Sequence, residues 1–133
     1  MEEGSKKYLL DSSAWLAFLK DEEGADRVEE LLRKERIILP FMVLLELYYI
    51  TFRERGAEIA DKRYAMIKSL NLDIHWKIDE PTLMLAGRFK AQYKISLADA
   101  IIAAFAKANK ATLVHKDPEY EALREEVEQL TLL

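Results

Sequence analysis

Asp11, Glu46, Asp99 and Asp117 stand where folding alone would favour an uncharged residue. Asp11 closes the apolar run Tyr8-Leu9-Leu10, and Glu46 interrupts the almost wholly apolar stretch from Phe41 to Phe52. Asp99 opens Ala100-Ile101-Ile102-Ala103-Ala104-Phe105, and Asp117 follows Ala111-Thr112-Leu113-Val114 by a short step. Burying an isolated ionised carboxylate costs several kcal/mol, whereas a Leu buried in its place gains about 1.5–3 kcal/mol. Acids scattered along a chain but delivered to one end of a sheet escape that penalty by sharing divalent cations. Ligands that are all oxygen suit Mg2+ or Mn2+. The pattern therefore predicts a metal-dependent site.

The elements that must position these acids alternate short apolar runs with amphipathic ones, the pattern of an α/β domain around a parallel sheet. Strands are expected at about Lys7–Asp11, Arg36–Leu39, Leu72–Trp76, Thr112–His115 and Gln129–Leu132, the last at a sheet edge. Helices are expected over Ser13–Lys20, Ala25–Lys34, Met42–Arg55, Ala57–Ser69, Pro81–Tyr93, Ala98–Ala108 and Pro118–Val127. Gly56 is placed to end one helix before the next, and Pro81 and Pro118 fall where a first helical turn accepts proline. Sites in open parallel sheets gather beyond the C-terminal strand ends. Asp11 and Asp117 fall there directly, while this rule leaves the position of Asp99 open. Glu46 shares its helix face with Met42, Leu45 and Tyr49 at three- and four-residue spacing, so it is expected to point inward.

Each acid has a purely structural explanation to set beside the chemical one. Asp11, ahead of Ser12 and Ser13, can cap a helix, which is worth about 1 kcal/mol. Ser96-Leu97-Ala98-Asp99 has the spacing of a capping box, and Asp117-Pro118 reads as an N-cap followed by proline. Glu46 lies too deep in its helix for a cap, so its structural alternative is a salt bridge to Arg53 or Lys90. Caps at strand ends and clustered acids at ion sites occupy the same positions, so the two explanations are compatible.

Of the remaining side chains, His75 between Ile74 and Trp76 reads as packed or at an edge, and Trp15, Phe18 and Leu19 read as core. Exposure of one ring of the Tyr48-Tyr49 pair would favour a protein interface. The Glu-rich stretch Glu119 to Glu128 reads as a solvated helix face. Lys7, Arg53 and Lys116 are the basic residues nearest the acids along the chain and the candidates for phosphate contact.

Composition narrows the chemistry further. The 133 residues are half apolar and form one domain, 1–133, without repeats or a linker. Cysteine is absent, which removes disulfides and thiolate metal sites, and two histidines make structural zinc improbable. The chain carries no G-x-G-x-x-G after the first strand, no G-x-x-x-x-G-K-[ST] and no G-x-S-x-G, so dinucleotide, P-loop and nucleophile-elbow chemistries fail. A phosphatase built on Asp-x-Asp would need an acid at Ser13. The net charge of −4 is not that of a basic nucleic-acid binder, but two divalent cations would cancel four carboxylates (−4 + 4). The opening Met1 to Lys7 lacks an apolar signal core and no apolar run is long enough to span a membrane, so a cytoplasmic protein is expected.

Over nearly its whole length, from Tyr8 to about Leu132, the chain resembles the PIN-domain ribonucleases, most closely the VapC-type toxins of toxin–antitoxin pairs. The resemblance rests on Leu10-Asp11-Ser12-Ser13-Ala14, Leu45-Glu46-Leu47, Leu97-Ala98-Asp99-Ala100-Ile101-Ile102-Ala103-Ala104 and Leu113-Val114-His115-Lys116-Asp117. It implies a three-layer α/β/α, Rossmann-like sandwich on a parallel sheet of about five strands. It also implies a Mg2+- or Mn2+-dependent endonuclease acting on RNA, with Asp11, Glu46, Asp99 and Asp117 as the acidic cluster and Ser12 and His115 in support. The chain departs from the family at His115, where Thr or Ser is usual. The partners implied are RNA, a small antitoxin whose C-terminal segment wraps the toxin, and a second copy of the chain. Two other readings stay open: a non-catalytic interaction module that keeps its acids as caps, and a structure-specific DNA nuclease of the flap-cleaving kind.

Overall fold

In the computed structural model, residues 6–132 are described; Met1–Ser5, which carried part of the leader reading, and Leu133 lie outside them. Five strands form one parallel sheet: β1 (Lys7–Leu10), β2 (Arg36–Pro40), β3 (Asp73–His75), β4 (Thr112–His115) and β5 (Gln129–Thr131). The spatial order is β3-β2-β1-β4-β5. Central strands of a parallel sheet are covered on both faces and so read as unbroken apolar runs. Leu9 and Leu10 in β1, Ile37, Ile38 and Leu39 in β2, and Leu113 and Val114 in β4 are accordingly all buried. The two edge strands, β3 and β5, are three residues each and only partly covered. Helices flank the sheet as an α/β/α sandwich.

Six helices connect the strands: α1 (Ser12–Leu19), α2 (Ala25–Lys34), α3 (Phe41–Arg55), α4 (Ala57–Lys68), α5 (Glu80–Gln92) and α6 (Leu97–Ala108). Gly56 ends α3 with φ +92°, a conformation that costs a side-chain-bearing residue about 1–2 kcal/mol, and its N–H bonds the Phe52 carbonyl at 2.9 Å. α5 begins one residue earlier than expected because Asp79 caps it, accepting from Thr82 N at 2.9 Å. None of the helices of the described residues is long and apolar enough to cross a membrane.

The helix expected over Pro118–Val127 is instead a short 3-10 helix at Pro118–Leu123. Its buried residues, Tyr120 and Leu123, recur at a spacing of three, which suits three residues per turn. Between them, Glu121 and Ala122 are exposed.

The strand order places the site. From β1 the chain moves outward on one side through β2 and β3, then returns to the other side of β1 as β4. The crevice beyond the C-terminal ends of β1 and β4 is therefore a topological switch point, where open α/β sheets collect their ligands. Asp11 directly follows β1, and Asp117 stands two residues beyond β4.

Candidate metal centre

Asp11 is 2% exposed and caps α1: its Oδ1 accepts Ala14 N at 2.9 Å and Ser13 Oγ at 2.6 Å. Ser13 Oγ in turn accepts Lys116 N at 2.9 Å, tying the start of α1 to the end of β4. Both of the carboxylate's bonds among the described residues fall on Oδ1, which leaves Oδ2 free for another ligand. Burial pushes the Asp11 carboxyl up to about 7, reinforced by the charges of Asp117 and Glu46 and opposed by the Ser13 and Ala14 hydrogen bonds.

Glu46 is half-buried on α3, but not on the face expected. The core face of α3 is Val43, Leu44, Leu47 and Thr51, while Leu45 and Tyr49, read as Glu46's inward neighbours, are exposed. Glu46 lies at the border between these faces and accepts Ser12 Oγ at 3.0 Å. Its carboxyl is raised by burial and by Asp117 and lowered by the Ser12 bond. The salt-bridge alternative finds no support. Arg53 stacks on the Tyr49 ring at 4.9 Å, Lys90 Nζ bonds the Ile95 carbonyl at 2.7 Å, and no ion pair involves Glu46 among the described residues.

At the start of α6, Ser96 Oγ accepts Asp99 N at 3.1 Å, as the capping pattern requires. The reciprocal half of a capping box would have Asp99 accept Ser96 N. Glu119 does so instead, at 3.1 Å, and the Asp99 carboxylate is released toward the crevice. There Tyr120 donates its hydroxyl to Asp99 Oδ1 at 3.0 Å. Burial lifts the Asp99 carboxyl to about 8, helped by a hydrogen bond in which a protonated Asp99 donates to Glu119, and by Asp117. The same hydrogen bond lowers Glu119.

Asp117 caps the 3-10 helix, accepting Glu119 N at 2.9 Å. One carboxylate oxygen from each of Asp99, Asp117 and Glu119 lies within 4.8 Å of the others, the tightest acidic group among the described residues. Asp11 and Glu46 stand outside that triplet and feel Asp117 through its charge. Glu119 is the member that sequence reasoning missed. Its place two residues after Asp117 was available as a signal, but in an α-helix it would have belonged to the solvated face.

The supporting residues divide. Ser12 holds Glu46, and His115 is buried behind Asp117, with its Nδ1 accepting Asp117 N at 3.1 Å. Burial holds the imidazole's pKa down, which keeps it neutral. Ser13, which follows the Asp11 cap, is the more connected hydroxyl. Of the basic candidates, Lys116 Nζ rests on the Glu23 carbonyl at 2.9 Å, and Arg53 lies two turns along α3 from Glu46. Lys7 does not flank the acids: it opens β1, roughly 13 Å of strand away from Asp11 at the opposite end of the sheet.

The donor set is all oxygen, burial lifts the carboxyls of Asp11 and Asp99 to about 7 and about 8, and one oxygen of Asp11 is unused. These features fit a hard divalent cation.

With this geometry in place, comparison with known proteins assigns the family. The PIN domain model matches residues 8–126, and the chain belongs to the PIN domain family. Among curated proteins no sequence matches. Solved structures show the same fold at low identity. VapBC2 from Rickettsia felis, bound to a DNA fragment from its promoter, superposes with TM-score 0.76 at 20% identity, covering 94% of this chain and 98% of that one. VapBC-1 from nontypeable Haemophilus influenzae gives 0.73 at 21% identity, covering 95% and 98%. VapC20 from Mycobacterium tuberculosis, described as a sarcin–ricin loop cleaving toxin, gives 0.69 at 15% identity, covering 86% and 93%.

Proposed function

We propose that this chain is the toxin of a toxin–antitoxin pair, a Mg2+- or Mn2+-dependent endoribonuclease that hydrolyses RNA phosphodiester bonds. The observation that carries the proposal is the convergence of Asp99, Asp117 and Glu119 within 4.8 Å, beside Asp11 and Glu46, at the switch point of the sheet. A bound divalent cation would supply Lewis acidity and a water of lowered pKa. Asp99, Asp117 and Glu119 would hold it, and the free Oδ2 of Asp11 faces the same task from β1. Tyr120 and Ser13 orient Asp99 and Asp11, so that neither carboxylate spends entropy finding its rotamer when charge arrives. Glu46, held by Ser12, completes the negative field. Lys116 and Arg53 would meet substrate phosphates, contacts that position the strand without reading its bases.

A protein partner fits the surface between α3, α4 and β3. Phe41, Leu44, Leu45, Tyr48, Tyr64 and Trp76 line an apolar groove of about 570 Å³, with Trp76 and Leu45 half exposed. The neighbours described as VapBC complexes support an antitoxin as its occupant. Self-association would use α5 and α6, which pack on each other and leave Leu83, Met84 and Leu97 exposed.

The test is cleavage by Asp11→Asn and Asp99→Asn. Each is expected to lower Mg2+-dependent RNA cleavage at least about 100-fold, a loss of roughly 2.7 kcal/mol in barrier terms, with an unchanged circular dichroism spectrum. A double variant that still cuts RNA at the wild-type rate would refute the assignment. Wild type that cuts flap DNA and spares RNA would move the chain to the DNA-nuclease reading, and wild type inert with both would favour the interaction module.

A further inference from the structure

The two acids on either side of the crevice are joined behind it by a chain of contacts through His115 and Gln129, residues that the proposed chemistry leaves unused. His115 ends β4 at 3% exposure. Its Nδ1 faces the backbone N–H of Asp117 at 3.1 Å, and its Nε2 faces Gln129 Oε1, on β5, at 2.7 Å. A backbone N–H can only donate, so Nδ1 presents its lone pair and the ring proton sits on Nε2. Gln129 agrees with that tautomer: its Nε2 donates to the Tyr120 carbonyl at 2.9 Å, which turns its Oε1 toward the imidazole. The ring also packs against Tyr120, with centroids 4.7 Å apart, and the Tyr120 hydroxyl holds Asp99.

We propose that His115 is a positioning residue of the metal centre, its Nδ1 fixing the Asp117 backbone and its ring setting the Tyr120 hydroxyl on Asp99, with Gln129 as the clamp. The inference rests on the metal-site reading above for its consequence, but the tether itself is a property of the metal-free chain. Asp117 and Asp99 approach from different elements, the 3-10 segment and α6, and the His115–Tyr120 ring pair is where their supports meet. A wrong tautomer or a missing acceptor would leave the part-buried Asp117 N–H without its partner and let the 3-10 segment drift from α6. Ligand sets of this kind lose affinity when their outer contacts go, typically about 10–100-fold.

The experiment uses the full chain as wild type, His115→Phe, His115→Asn and Gln129→Leu. His115→Phe keeps a ring against Tyr120 but removes the acceptor. His115→Asn restores an acceptor at the position of Nδ1 without the ring. Two readouts are taken: amide hydrogen exchange at Asp117 in metal-free protein, and Mn2+ affinity by titration calorimetry. His115→Phe is expected to speed Asp117 exchange and weaken Mn2+ about tenfold or more, and His115→Asn to recover most of the Asp117 protection and part of the Mn2+ affinity. Gln129→Leu is expected to fall between wild type and His115→Phe, and it carries the test if His115→Phe does not fold. The proposal is overturned if Asp117 exchange in His115→Phe matches wild type, or if His115→Asn is as impaired as His115→Phe in both readouts. Wild type that takes up no Mn2+ would defeat the metal reading alone, because Asp117 exchange still decides the tether.

Discussion

Asp11 and Asp99 are acids that burial and like charge hold well above the usual carboxylate range. Both are buried, both have like charges for neighbours, and their carboxyls titrate at about 7 and about 8. An unfolded Asp releases its proton near 3.9. Between about pH 4 and pH 8 the folded, metal-free chain therefore binds more protons at these sites than the unfolded chain does, and stability falls as pH rises. Glu119 contributes the opposite sign, since its pKa is lowered. The comparison that isolates the effect is wild type against Asp11→Asn, an exchange that keeps a capping oxygen for Ala14 N. In chelator, the melting temperature of wild type is expected to drop relative to Asp11→Asn across that window. Mn2+ should reverse the trend by taking the proton's place. A wild-type melting temperature that rises relative to the variant over the same window would contradict the burial of these charges.

The junctions between elements do more than cap helices. Ser13, in the first turn of α1, bridges the Asp11 carboxylate and the Lys116 backbone, so one hydroxyl fastens two strand ends that belong to different crossovers. Ser13→Ala removes both bonds. It is expected to cost about 1–3 kcal/mol in chemical denaturation at mildly alkaline pH, where Asp11 is charged, and to raise the Asp11 pKa further. Mn2+ binding by that variant should then need a higher pH than in wild type; an unchanged pH dependence would mean that the hydroxyl contributes nothing to the site. The 3-10 segment shows the same economy. Asp117 caps it, Glu119 completes the cap of α6, and Tyr120 turns inward to Asp99. Four residues, from Asp117 to Tyr120, thus serve two helices and the crevice between them.

The whole chain places its acidic crevice and its apolar surfaces on adjacent parts of α3. Glu46 faces the crevice, while Leu45 beside it lines the groove with Trp76. A partner seated in that groove would lie next to the acids and could govern access to them. The exposed residues of α5 and α6 offer a separate surface for a second copy. Leu83→Asp with Met84→Asp is expected to weaken self-association about tenfold or more by sedimentation equilibrium, without disturbing the metal centre. Wild type that remains monomeric at high concentration would remove this surface from consideration as a dimer contact.

Local chemistry was enough to place most of the elements and two of the acids, Asp11 and Asp117. The apolar runs of β1, β2 and β4, the glycine break at Gly56 and the caps at Asp11, Ser96 and Asp117 are short-range signals, readable within a few residues. Their assembly was not readable in that way. Ser13 meets Lys116 across 103 residues, Tyr120 meets Asp99 across 21, and Glu119 takes the capping role that Asp99 gives up. Periodicity named Leu45 and Tyr49 as inward neighbours of Glu46, but the direction a helix face takes depends on which sheet and which helix it packs against. Those long-range surfaces exist only once the strands have ordered as β3-β2-β1-β4-β5. The chain alone marks which carboxylates are costly, and the packed molecule selects which of them meet, because side-chain direction is set by contacts between segments distant in sequence.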